Sequence, residues 1–269
     1  MFLTWKKFSM ALAFVAATAL TAAAHAQQYG DKDYSPSMGQ EGKDVIWVPT
    51  PNELIAKMLD MAKLTASDIH FDLGSGDGRT VIAAAKRGAN STGVEFNPDM
   101  VALSNRSATR EGVTAKAKFI HGDIFQTDFS KATLLTLYLL PGLNLKLRPT
   151  ILNMKPSTRV VSHAFTMGEW EADQTETVEG RTAYLWIVPA KVEGVWRIDG
   201  GGELAVKQTF QKIEGSSGGK ALTNAMLRSD LISFSVDGRD YSGRVAGNRI
   251  EGSAKAGGKE APWSATLAK

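Results

Sequence analysis

The residues with the clearest chemical potential lie between positions 69 and 79, in the sequence IHFDLGSGDGR. A short apolar run ends in Asp72, and Gly74, Gly76 and Gly78 follow at alternate positions. Glycine permits positive φ angles and a close approach of the backbone to a ligand, and a helix start presents unpaired N–H groups. The stretch therefore predicts a strand, a tight turn and a helix that together bind a nucleotide-like ligand.

The elements that position this turn alternate between strand and helix. After the turn, strands are predicted at 91–95, 116–121, 134–140, 159–165 and 182–188, and helices at 81–86, from Asn97 to about Glu111, and at 143–154, where Pro149 should kink or divide the helix. The run LLTLYLL at 134–140 is typical of a parallel strand that is covered on both faces. The alternation predicts an α/β fold with a doubly wound parallel sheet.

A helix is also predicted before the turn. Thr50 and Glu53 are spaced as a capping box, and Pro51 stands where the first helical residue would be. Apolar residues then recur at helical spacing, so we expect the helix to end near Leu64.

Two more acidic residues stand where predicted strands end. In a doubly wound sheet, ligands bind outside the carboxyl ends of the strands. Glu95 ends the second strand and could accept hydrogen bonds from both hydroxyls of a ribose. Asp123 follows the third strand, where it could accept one from an adenine amino group, with Ile124 beside the ring.

Together these segments resemble the class I S-adenosylmethionine-dependent methyltransferases over roughly residues 45–188. The resemblance lies in DLGSGDGR at 72–79, GVE at 93–95, GDI at 122–124 and KPSTR at 155–159. It implies a seven-stranded sheet of order 3-2-1-4-5-7-6 and S-adenosylmethionine as cofactor, with no metal. The implied cofactor-binding residues are Thr50, Pro51, Asp72, Gly74, Ser75, Gly76, Asp77, Glu95, Asp123 and Ile124.

A glycine turn with an acid about 20 residues later also describes a dinucleotide site. Asp72 and Asp123 favour the methyltransferase, because a flanking carboxylate repels phosphate but attracts a cationic sulfonium and a free amine. Asp77 alone could equally be a turn or helix-cap residue.

A narrower resemblance is to the small protein-lysine methyltransferases of archaea and mitochondria. It lies in VPTP at 48–51, LP at 140–141, NLKLRP at 144–149, and Phe165 followed by Trp170. It implies that Leu140 and Pro141 lie beside the methyl acceptor and that Tyr138 orients it, although Tyr138 could also be a packed aromatic residue. The chain lacks the NPPY motif of amide and adenine methylation, so an amine acceptor is favoured.

Composition narrows the partners. The net charge is +3, of which Lys6 and Lys7 contribute two, so that +1 remains without them. Such a balance gives no basic footprint for nucleic acid. We therefore expect a protein or a small molecule as the methyl acceptor.

The first 26 residues have the three-part layout of a secretory signal peptide, with cleavage after Ala26. The alternative is an uncleaved anchor, but the apolar stretch 10–24 is shorter than the roughly 20 residues that span a bilayer. We expect a periplasmic or secreted protein that is not inserted in the membrane after cleavage. The chain has no cysteine, which excludes a lipidated cysteine and disulfides.

The predicted organisation is a signal peptide at 1–26, a flexible leader at 27–44, a methyltransferase domain at 45–189 and a β-rich module at 190–269. The last 80 residues show short alternating runs, with Asp237-Gly238 and Gly247-Asn248 as hairpin turns, and predict an antiparallel module of small-barrel type.

Two functions are consistent with the sequence. The first is an exported methyltransferase that acts on an amine, such as a protein lysine. The second is an exported binding protein that keeps the fold without catalysis. The three carboxylates at strand ends favour the enzyme, because packing alone does not require them.

Overall fold

The computed structural model describes residues 29–268, so the predicted signal peptide lies outside the described residues. The first part of this range forms a mixed sheet with helices on its faces. Its elements are α1 (Asn52–Met61), β1 (Ile69–Leu73), α2 (Arg79–Lys86), β2 (Asn90–Glu95), α3 (Pro98–Arg110), β3 (Ala117–His121), β4 (Leu134–Leu137), α4 (Pro141–Leu152), β5 (Arg159–His163), β6 (Gln174–Val178) and β7 (Arg181–Ile187).

The seven strands lie in the order β3-β2-β1-β4-β5-β7-β6. The first five pair in parallel, whereas β7 runs antiparallel to β5 and β6 antiparallel to β7. This confirms the predicted fold class and strand order. Strand β6 was not predicted, because its sequence QTETV is polar and lies at the edge of the sheet, largely exposed.

Strand β4 lies at the centre of the sheet, and all four of its residues are buried. The predicted strand continued to Leu140, but pairing stops at Leu137. Residues 138–140 leave the sheet because Pro141 starts α4, and the residue before a proline is held in an extended conformation. Pro149 does not divide α4, and Leu147 and Ile151 on either side of it are both buried in the core.

Helix α1 exists as predicted but begins and ends differently. The capping box is not formed: Pro51 is the N-cap residue, and no side chain caps the helix. The Thr50 hydroxyl instead lies 3.1 Å from Nδ1 of His163 on β5. The helix ends at Met61 rather than near Leu64, and Lys63 just beyond it has a φ of 49°.

The second sheet contains nine antiparallel strands, in agreement with the predicted module. They are β8 (Gly194–Ile198), β9 (Glu203–Thr209), β10 (Lys212–Ser217), β11 (Lys220–Ala221), β12 (Thr223–Arg228), β13 (Leu231–Val236), β14 (Arg239–Ala246), β15 (Arg249–Ala256) and β16 (Lys259–Leu267). Their order is β11-β10-β9-β8-β16-β15-β14-β13-β12. Because β10 and β12 also lie close together, the sheet curls towards a barrel. Both predicted hairpin turns are present, between β13 and β14 and between β14 and β15.

An aromatic contact joins the two sheets. Phe210, in the turn between β9 and β10, stacks on Trp170 with ring centroids 6.2 Å apart. Trp170 is fully buried, and its backbone carbonyl accepts a hydrogen bond from Trp186 Nε1 on β7 at 2.7 Å. The β-rich module therefore packs against the antiparallel side of the first sheet.

Helix α3 has the cap that the sequence predicts. Asn97 Oδ1 accepts hydrogen bonds from the backbone N–H groups of Asp99 at 2.9 Å and Met100 at 3.4 Å. We expect Asn97→Ala to lower the free energy of unfolding by about 1 kcal/mol, because it leaves these donors unpaired. Asn97→Asp keeps an acceptor and should stay close to the unsubstituted protein. Urea denaturation measures both, and equal losses in the two variants would contradict the cap assignment.

Candidate functional site

The glycine turn has the backbone geometry that the sequence predicts. Gly74, Gly76 and Gly78 have φ angles of 80°, 53° and 80°, which favour glycine. A Cβ atom on Gly76 would lie 2.6 Å from Nε1 of Trp47, and one on Gly78 would lie 2.7 Å from the ring of Phe119. The turn therefore requires glycine for both its conformation and its close contacts.

A cavity of about 290 Å³ opens beside this turn, at the carboxyl ends of β1, β2 and β4. Eleven of the predicted site residues line it: Thr50, Asp72, Gly74, Ser75, Gly76, Asp77, Glu95, Asp123, Ile124, Tyr138 and Leu140. Two do not. Pro51 is the N-cap of α1 and Pro141 is the first residue of α4, so each lies one residue beyond the lining.

Glu95 connects the turn to the next helix. One carboxylate oxygen accepts a hydrogen bond from the backbone N–H of Gly76, and the other accepts one from Asn97, both at 2.9 Å. An ionised carboxylate can accept about four hydrogen bonds, so two acceptor positions remain for a ligand. This residue thus both supports the site and can take part in it.

Ser75 and Asp77 use their side chains within the protein. Ser75 Oγ is buried against Gly93 and has no hydrogen-bond partner among residues 29–268, so its backbone is what lines the cavity. The carboxylate of Asp77 binds the guanidinium of Arg79, with a closest approach of 2.6 Å. Arg79 also donates to the carbonyl of Thr50 at 3.3 Å. For Asp77 this arrangement favours the alternative of a turn residue.

Asp72 is a buried carboxyl at the end of β1. The Thr136 hydroxyl on β4 donates a hydrogen bond to its Oδ1 at 2.6 Å. Burial raises the pKa of Asp72 to about 7, and the negative charges of Glu95 and Asp77 act in the same direction, while the hydrogen bond from Thr136 opposes them. A cation placed here would relieve this unfavourable burial of negative charge.

Aromatic side chains line the other end of the cavity. The Tyr138 ring lies 3.8 Å from the imidazole of His163 and stacks on Phe165 at 6.1 Å, centroid to centroid. Burial, with a smaller contribution from the charge of Arg181, lowers the pKa of His163 to about 4, so this imidazole is neutral at physiological pH. Burial also raises the pKa of the Tyr138 hydroxyl.

Residues 29–48, which we call the strap, cover this region. Sequence analysis predicted a flexible leader as far as residue 44, whereas the structure packs the described part of that leader against the first sheet. Asp31 binds the guanidinium of Arg106 on α3 at 2.6 and 3.0 Å. Tyr29 contacts the edge of Trp47 at 5.3 Å between ring centroids. These contacts join residues far apart in the chain, which is why a polar, glycine-containing sequence did not reveal them.

The strap also reaches the predicted adenine position. Lys43 Nζ forms an ion pair with Asp123 Oδ2 at 2.6 Å and lies 4.8 Å from the ring centre of Phe96. The hydrogen bond from Lys43 is the main reason that the pKa of Asp123 is lowered, and one from the Phe125 backbone adds to it. No sequence motif signalled Lys43.

Comparison with known proteins decides the family. Residues 72–174 match the model of the ANTKMT methyltransferase domain. Over 151 residues the chain is 38% identical to a protein-lysine N-methyltransferase of Saccharolobus islandicus, and the match spans 54% of this chain and 94% of that protein. The chain belongs to the class I S-adenosylmethionine-dependent methyltransferases. Its cofactor is accordingly S-adenosylmethionine.

Other relatives agree with this family. A human lysine N-methyltransferase that is named for an ATP synthase component is 34% identical over 135 residues, spanning 50% of this chain and 57% of its own length. A crystal structure described as an RNA methyltransferase from Salinibacter ruber, in complex with S-adenosyl-L-homocysteine, has 45% identity and a TM-score of 0.53. That similarity covers 54% of this chain and 96% of the other.

The burial of Asp72 predicts a pH-dependent stability. Its pKa of about 7 in the folded protein lies above the value of about 3.9 in unfolded chains, so the folded state binds more protons between these values. Without cofactor, stability should therefore fall as pH rises from about 4 to about 7, by about 1.4 kcal/mol for each unit of the pKa shift.

We expect Asp72→Asn to remove this dependence and to be more stable than the unsubstituted protein at pH 8. Urea denaturation between pH 5 and 8 measures the effect. Asp128→Asn is the control, because Asp128 is exposed and its pKa is lowered rather than raised. An identical pH dependence in the Asp72→Asn variant and the unsubstituted protein would refute the assignment.

Proposed function

We propose that this methyltransferase transfers the methyl group to a lysine side chain of a protein acceptor outside the cytoplasm. The observation that carries the acceptor class is the aromatic lining formed by Tyr138 and Phe165, backed by a neutral His163. An amine attacks the methyl group only when it is uncharged. Apolar aromatic walls disfavour an ammonium ion and so lower the pKa of a bound lysine.

The cofactor in this proposal extends along the ends of the strands. Asp72 faces its cationic methionine part, Glu95 accepts from the ribose hydroxyls with its two remaining acceptor positions, and Asp123 and Ile124 hold the adenine. The fit is supported by the buried carboxyl of Asp72, whose raised pKa marks a place where positive charge is favourable. When bound, S-adenosylmethionine supplies an electrophilic methyl group on a sulfonium sulfur.

The protein contributes position and desolvation rather than strong acid–base catalysis. Attack by a neutral amine on a sulfonium disperses charge, so alignment and exclusion of water dominate the acceleration. Tyr138 orients the acceptor through its ring and hydroxyl. His163, with Nδ1 beside the Thr50 hydroxyl, supports the Tyr138 ring from behind.

The relatives support a protein acceptor, since those described above from Saccharolobus islandicus and human are named as lysine methyltransferases. The Salinibacter ruber structure is titled an RNA methyltransferase, which makes RNA the competing acceptor. A net charge of +3 over 269 residues argues against RNA, because phosphate binding requires clustered positive charge.

Export is the part of the proposal that rests on residues 1–26 alone. A basic start, an apolar stretch and the sequence Ala24-His25-Ala26 support cleavage by a signal peptidase. Within residues 29–268, no helix has the length and apolar character needed to cross a bilayer. Cell fractionation followed by N-terminal sequencing tests export, and a chain that retains residue 1 in the cytoplasm would refute it.

The acceptor is tested by incubating the purified protein with isotopically labelled S-adenosylmethionine and an envelope-protein extract. We expect labelled methyl-lysine by mass spectrometry, and its loss in Tyr138→Ala. Total RNA and a small-molecule extract are parallel arms of the same assay. Label in RNA or in a small molecule but not in protein would overturn the lysine proposal.

The ribose assignment predicts weaker cofactor binding in Glu95→Gln. Glutamine keeps one acceptor oxygen, which can hold either Gly76 or Asn97, but it cannot accept two further hydrogen bonds. We expect the dissociation constant by calorimetry to rise at least about tenfold, or about 1.4 kcal/mol. Glu176→Gln on the exposed strand β6 is the matched control. Unchanged affinity in a folded Glu95→Gln protein would contradict the assignment.

A further inference from the structure

A row of polar side chains lies inside the first sheet, away from solvent. His70 on β1 is fully buried, as is Thr136 on β4, and Ser91 on β2 is nearly so. His70 Nδ1 lies 2.6 Å from Ser91 Oγ, and His70 Nε2 lies 2.8 Å from Thr136 Oγ1. Thr136 in turn reaches Asp72. The four residues form one continuous hydrogen-bonded row, which we call the relay.

The chemistry of the groups fixes the direction of these bonds when Asp72 is ionised. A carboxylate only accepts hydrogen bonds, so the single hydroxyl proton of Thr136 must point to Asp72. The Thr136 oxygen can then accept only from a protonated Nε2 of His70. Burial lowers the pKa of His70 to about 3, so the ring carries one proton, and its bare Nδ1 accepts from Ser91.

Every donor in this arrangement points towards the Asp72 carboxylate. If Asp72 were protonated, its proton could point to Thr136 and the whole row could reverse, with His70 in its other tautomer. The relay therefore couples the tautomer of a buried histidine to the charge of a residue that lines the cofactor cavity. Packing between strands does not by itself require polar groups in this position.

We propose that Thr136 and His70 are positioning residues that keep Asp72 ionised and aimed at the cationic part of the cofactor. The proposal rests on the proposed function through the role given there to Asp72. The charged groups around Asp72 act against the relay: Glu95 and Asp77 raise its pKa, and the Thr80 hydroxyl of α2 lowers it. At the other end, Asp68 faces His70 and is itself ion-paired with Arg159.

The test is calorimetric binding of S-adenosylhomocysteine, which carries the same amine, to the folded protein between pH 6 and 9. In the unsubstituted protein we expect affinity to fall towards acid as Asp72 takes up a proton. Thr136→Val keeps the shape but loses the hydrogen bond, so this acid limb should move upwards by about one pH unit. Thr136→Ser should restore the original profile.

Thr133→Val is a matched control. The Thr133 hydroxyl donates to Asp68 Oδ1 at 2.6 Å, a bond of the same type at the opposite end of β1. Its loss should change stability without moving the acid limb. A limb that stays in place in Thr136→Val overturns the relay while leaving the role of Asp72 intact. Absence of any acid limb in the unsubstituted protein overturns the role of Asp72 itself, and with it the relay.

A second measurement needs no variant. Nitrogen NMR of the imidazole at pH 8 identifies which ring nitrogen of His70 carries the proton. The proposal requires the proton on Nε2. A proton on Nδ1 would mean that Thr136 donates to His70 rather than to Asp72, and it would overturn the proposal even if the Thr136 variants failed to fold.

Discussion

The site depends on one hydrogen-bonded carboxylate, that of Glu95. Its two oxygens hold the backbone N–H of Gly76 in the glycine turn and that of Asn97 before α3. Since Glu95 itself ends β2, this side chain fixes a strand, a turn and a helix relative to one another. The cavity keeps its shape because these three elements share one anchor, and a ligand can still bind to the acceptor positions that remain.

Much of the fold follows from local sequence. Apolar runs give the central strands, the glycine turn gives the strand-to-helix connection, and Asn97 followed by Pro98 gives the start of α3. The hairpin turns of the second sheet are equally local. The order of the seven strands came instead from the family resemblance, because pairing between distant segments leaves no trace in a short stretch of sequence.

The features that sequence did not reveal depend on contacts across the chain. Thr50 and Glu53 have the spacing of a capping box, but a partner on β5, His163, takes the Thr50 hydroxyl. Lys43 and Asp123 are 80 positions apart and form an ion pair over the cavity. His70 sits in an ordinary strand pattern, and only the neighbouring strands show that both of its nitrogens are engaged. Each depends on which elements become neighbours after folding.

The polarity that hid β6 has a consequence for association between molecules. An edge strand has unpaired backbone groups that can recruit a strand from another chain. The first sheet has two such edges, β3 and β6, and they carry the charged residues Lys118 and Glu176 respectively. Charge on an edge disfavours pairing with a further strand. The sequence QTETV, which is a poor strand signal, is for the same reason a good protection against aggregation at that edge.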